Sequence, residues 1–125
     1  MPDDSERLEL GRAAFNRGEY FLAHELWEEI WREVDDTERR LFVQGLIQIA
    51  AGLHQLQRHR PGPAAGLLRK GLEKISRRRQ DREVSRGRLR TDLLASEVAR
   101  LLLELDAPGA PERAGAAADF SRLKL

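Results

Sequence analysis

The chain has no cysteine in its 125 residues. This excludes disulfides, thiolate metal ligands and a cysteine nucleophile together, and it suits a reducing cytoplasm. The opening Met1-Pro2-Asp3-Asp4 is acidic and carries no apolar segment, so no secretory leader is expected. Long hydrophobic runs are missing as well. The longest nearly uncharged stretch, Leu41 to Gln57, is broken by glutamines, a histidine and two glycines. It is short for a membrane span and reads as a buried core helix, so no membrane partner is expected. With no alternating strand pattern, no glycine-rich phosphate loop can follow a strand, and Gly45 and Gly52 read as packing glycines.

What is present is a balance of 41% hydrophobic and 34% charged residues, which suits one folded domain rather than a disordered chain. The net charge of +1 conceals a strong asymmetry. Residues 1–38 hold 12 acids and 4 bases, a net of −8, whereas residues 39–90 hold 14 bases and 3 acids, a net of +11. Complementary faces within one fold, or between copies of it, are the plainer reading; a basic surface for an anionic partner is the sharper one.

Five helical segments follow from the spacing, giving an all-α bundle of four to five helices. The first opens on a capping box of Asp3 and Glu6 and stops near Arg17, where Gly18 supplies a left-handed turn. The second, about 19–34, carries Tyr20, Ala23, Trp27, Ile30, Trp31 and Val34 at helical spacing. Asp35 with Glu38 caps the third, about 37–59, which is apolar over most of its circumference and therefore central. The second and third helices should form an antiparallel hairpin. Pro63 is placed to open the fourth, and Thr91 to cap a fifth that ends before Pro108. Residues 1–106 read as one bundle domain, with 107–125 an Ala/Pro/Gly-rich, mobile tail whose own Phe120, Leu123 and Leu125 are the side chains available to dock it.

The one constellation with site-like chemistry is His24-Glu25-Leu26-Trp27-Glu28-Glu29-Ile30-Trp31. It is not a metalloprotease helix, because Glu28 stands where that motif needs a second histidine. Nor is it a ferritin-like Glu-x-x-His helix, since Phe21 takes the glutamate position. His24 and Glu28 nonetheless share a face one turn apart, while Glu25 is rotated toward solvent or toward Arg32. With a hairpin turning near Asp36, His24 lies level with Gln48 and Glu28 level with Gln44, while His54 lies roughly 9 Å further along the axis. The expectation is a polar layer of His24, Glu28, Gln44 and Gln48 that satisfies itself and fixes register. A ligand or divalent-metal site, with His24 and Glu28 as the metal candidates and hydrolase-type chemistry, is the functional alternative. Trp27 and Trp31 read as core. Seven arginines between Arg77 and Arg90 admit phosphate binding, but Asp81 and Glu83 interrupt them and no aromatic is interleaved for base stacking, so nucleic acid ranks last.

Taken in order, Phe15-Asn16-Arg17-Gly18-Glu19-Tyr20, Ala23-His24-Glu25-Leu26-Trp27-Glu28, Trp31-Arg32, Gln44-Gly45-Leu46-Ile47-Gln48, Ala50-Ala51 and Leu53-His54 resemble a small prokaryotic all-helical family, domain of unknown function number three hundred and nine. The resemblance covers about residues 8 to 75. It implies a helical bundle with the His/Glu/Trp helix against the Gln-Gly helix, and it brings no activity, substrate or cofactor. It marks His24, Glu25, Trp27, Glu28, Trp31, Gln44, Gly45 and His54 as motif positions. No complete catalytic set is present. The reading therefore leans away from an enzyme and toward a bundle acting through protein association, as a homo-oligomer or with another protein.

Overall fold

The computed structural model describes residues 4–76, 91–106 and 123–125. Five helices account for nearly all of them: α1 (Asp4–Asn16), α2 (Tyr20–Glu33), α3 (Thr37–Gln57), α4 (Pro61–Ser76) and α5 (Thr91–Asp106). There is no strand among the described residues. The expected cap at Asp3 and the arginine-rich segment 77–90 lie outside them, as does Phe120.

The helix ends follow from backbone chemistry. Gly18 adopts φ +84°, and its N–H donates to Phe15 O while Glu19 N–H donates to Ala14 O, so α1 closes in a Schellman turn. The end of α3 repeats this pattern without glycine: His59 sits at φ 59°, His59 N–H donates to Leu56 O, and Arg60 N–H donates to Gln55 O. Two boundaries differ from the sequence expectation. The cap of α3 is Asp36 rather than Asp35, because Asp36 Oδ2 accepts from Arg39 N–H at 2.8 Å, three residues into the helix. The fourth helix opens at Pro61 instead of Pro63, since Pro63 still falls in the first turn, where a missing N–H costs no bond.

The order of packing is α1 on α2, α2 on α3, α3 on α4 and α4 on α5, with α3 and α4 in the most extensive contact. Glycines explain that intimacy. A Cβ on Gly71 would stand 2.7 Å from Gly45 O, so the two backbones meet where neither residue has a side chain. A Cβ on Gly52 would press on Leu68 at 2.9 Å. The link of α2 to α3 spans residues 34–36, and the close packing across it is consistent with the antiparallel hairpin.

Trp27 is the centre of the core. It is fully buried, packs 5.8 Å from Phe15 between ring centroids, and donates from Nε1 to Leu8 O at 3.3 Å. Gly11 gives the indole room, since a Cβ there would lie 2.1 Å from Nε1. Phe42, Leu46, Ile49 and Leu53 of α3 complete the interior with Leu68, Leu94 and Val98 of α4 and α5. Leu123 and Leu125, beyond the expected bundle domain, are each 1% exposed and belong to the same core. No helix among the described residues is long and apolar enough to cross a membrane.

Candidate functional site

Helix α2 turns one stripe, Tyr20, Ala23, Trp27 and Ile30, into the core. His24 and Glu28 lie next to that stripe, at the rim. They are 27% and 31% exposed, and no polar or charged side chain among the described residues is fully buried. His24 Nε2 lies 3.5 Å from Glu28 Oε2. That is longer than an ordinary hydrogen bond and becomes an ion pair only when the imidazole is protonated. Glu28 also accepts from Arg32 Nη2 at 2.9 Å, so the carboxylate is shared between an imidazole and a guanidinium on one helix. Arg32 thus pairs with Glu28 and not with Glu25, which is exposed.

The four expected members of the polar layer are not all brought together. Gln48 Oε1 accepts from Lys74 Nζ at 2.9 Å, which turns it toward α4. Gln44 is half-buried, and no hydrogen bond among the described residues joins it to His24 or Glu28. His54, set apart by the expected register, comes close instead. The ring of Phe21 stacks on His24 at 5.9 Å with the planes 14° apart, and lies 5.2 Å from His54.

The reason is a shift in hairpin register. Gln57 Nε2 donates to Gly18 O at 2.8 Å, and His54 faces Phe21, so residue numbers on the two helices pair to a sum near 75. The sequence reading had set His24 against Gln48, a sum of 72. Three residues of slip bring His54 to roughly 4.5 Å from the level of His24, half the expected separation. Phe21 is absent from the expected site, where it counts only as the residue at another motif's glutamate position; its spacing of three from His24 is the sequence signal that places it on the same face.

Within this cluster His24 Nδ1 is screened from solvent and has no hydrogen-bond partner among the described residues. Trp31 Nε1 is in the same condition, while the Trp31 ring receives Arg40, whose guanidinium carbon stands 4.2 Å from the centroid. A neutral imidazole carries one donor and one acceptor nitrogen, so His24 has capacity for one further polar contact at the rim. No group of three or more His, Asp or Glu side chains among the described residues is arranged to hold a metal ion. The arrangement offers an aromatic surface with two imidazoles and one carboxylate. It lacks an assembled nucleophile, base and oxyanion donor.

Fold and site together define a small all-helical bundle whose polar motif residues sit at the rim between two of its helices. Residues 8–67, from within α1 to the first part of α4, match the model of the family described as Domain of unknown function (DUF309), a shorter span than the 8 to 75 of the sequence resemblance. The chain is also 30% identical over 69 residues to an "Uncharacterized protein" of Aquifex aeolicus. That alignment covers 55% of this chain and 21% of the relative. No solved structure matches.

Proposed function

We propose that this bundle acts through self-association rather than catalysis, with α2 supplying the contact. One observation carries the reading. Phe21, 52% exposed, adjoins the exposed Leu22 at one end of a face of α2 that continues as Glu25, Glu29 and Glu33. An exposed aromatic beside an aliphatic residue is the kind of anchor that interfaces use. The acidic residues beyond it suit a basic surface. A second copy is the occupant of this face, because the chain carries both signs in separate segments: a net of −8 over residues 1–38 and +11 over 39–90. A cytoplasmic setting, suggested by the cysteine-free composition, belongs to the same proposal.

Sedimentation velocity from micromolar to tens of micromolar protein tests it. A dimer that dissociates in Phe21→Glu and weakens as salt screens the charged faces supports the reading. A monomer under every condition overturns it. Phe21 is exposed enough that the variant keeps its fold, which a circular-dichroism melt verifies.

A second reading, a small-molecule or metal site at His24 and Glu28 extended by His54, rests on the unpartnered Nδ1 of His24. A thermal-shift series with divalent metals and a chelator addresses it. Stabilisation by one metal that disappears in Glu28→Gln would favour a site, since a ligand specific to the folded state raises the midpoint.

A further inference from the structure

The chain's last described segment is bound to α1 in the manner of a peptide ligand. Asn16 pairs with the main chain of Leu125 in both directions: its Oδ1 accepts from Leu125 N–H at 2.8 Å, and its Nδ2 donates to Leu125 O at 3.2 Å. Arg12 Nε donates to the same Leu125 O at 2.6 Å, while Arg12 Nη1 is held by Glu9 Oε1 at 2.8 Å. Lys124 Nζ reaches Asn16 O at 2.6 Å. That carbonyl is one of those left without a helical partner at the end of α1, where the helix dipole also favours a cation.

The three residues divide their labour by alternation. Leu123 and Leu125 are buried and Lys124 is exposed, the pattern of an extended segment with one side inward. The side chains of Asn16 and Arg12 contact only main-chain atoms of Leu125, so these two read the backbone, while Lys124 adds a side-chain contact to Asn16 O. The buried leucines supply the selection. This division of affinity and specificity is how sheet edges recognise added peptide strands; here a helix end performs it.

We propose that Arg12 and Asn16 of α1 form a recognition site for an extended Leu-Lys-Leu peptide segment, with residues 123–125 of the same chain as its resident, exchangeable ligand. The proposal is independent of self-association through α2. The resident ligand has the advantage of belonging to the same chain, since an intramolecular partner competes at a raised effective concentration. A free segment of the same sequence competes poorly until the resident one is disabled.

The test uses the full chain with Leu123→Asp and Leu125→Asp together, to which a fluorescently labelled peptide of residues 117–125 is added and anisotropy read. The site is expected to bind that peptide saturably in the double variant, at least tenfold more weakly in the unaltered chain, and not measurably when Asn16→Leu is added to the double variant. Circular-dichroism melts of all three proteins verify folding, and Arg12→Gln gives a second way of weakening the site should Asn16→Leu unfold. Binding that is equal in the unaltered chain and the double variant overturns the proposal, because the peptide then goes elsewhere. So does the absence of binding up to millimolar peptide in a folded double variant.

Discussion

Phe21 and His54 stand with their rings 5.2 Å apart across α2 and α3, and the same Phe21 ring stacks on His24. One exposed aromatic therefore joins two imidazoles that lie on different helices. Replacing it tests the cluster directly. In Phe21→Leu the imidazole proton resonances of both His24 and His54 are expected to shift as the ring current is lost, while those of His59 stay in place. Unmoved His24 and His54 signals would mean that the three rings do not meet in solution.

Glycines at helix contacts should be irreplaceable, and those facing open space should not. Gly11→Ala and Gly71→Ala place a Cβ 2.1 Å from Trp27 Nε1 and 2.6 Å from Ile49 Cγ1. Each is expected to cost about 1–3 kcal/mol, even after the gain in helix propensity. Gly66 on the same helix as Gly71 meets nothing within 4 Å, so Gly66→Ala should stabilise by up to about 1 kcal/mol. Urea unfolding of the three variants measures the contrast.

His59 holds a left-handed conformation that glycine adopts without strain. Since a non-glycine residue there costs roughly 1–2 kcal/mol and glycine costs part of that back in chain entropy, His59→Gly is expected to raise stability by up to about 1 kcal/mol. A lowered unfolding midpoint would show that the His59 side chain contributes more than its backbone strain removes.

The side chain of Asp36 caps the N-terminus of α3. Asp36→Ala should cost about 1 kcal/mol, and Asp36→Asn much less, because the amide oxygen still accepts from Arg39 N–H. Asp35→Ala should leave thermal stability nearly unchanged. The reverse order would place the cap one residue earlier.

Trp27 combines full burial with a hydrogen bond to Leu8 O. Trp27→Ala is expected to cost about 3–5 kcal/mol, a large share of the stability of a domain this size. Trp27→Phe keeps the ring and forfeits the bond and some volume, so its loss should fall well short of that. A chevron or equilibrium urea series distinguishes the two.

The helices were legible because their signals are local. The three-and-four spacing around Ala23, Trp27 and Ile30 names the buried stripe of α2, and Gly18 names the turn before it. Boundaries slipped by one or two residues at Asp36 and Pro61, where neighbouring residues of the same type or chemistry compete for one role. The site was half legible. His24 and Glu28 lie on one helix, and their proximity follows from its period. Which residues of α3 and α4 meet them depends on hairpin register: a slip of three residues brings His54 as near to the level of His24 as Gln48, and Lys74 draws Gln48 toward α4.

The sequence by itself determined an all-helical chain, its central apolar helix, its buried tryptophan and the one-turn pairing of His24 with Glu28, because each depends on backbone periodicity and short-range capping. Tertiary structure alone decided that Phe21 joins His24 to His54, that Gln48 turns to Lys74, and that Leu123 and Leu125 return to α1. Those contacts connect residues far apart in the chain, and they are set by how closely glycine-bearing helices can approach and where the three-residue link lets α3 begin.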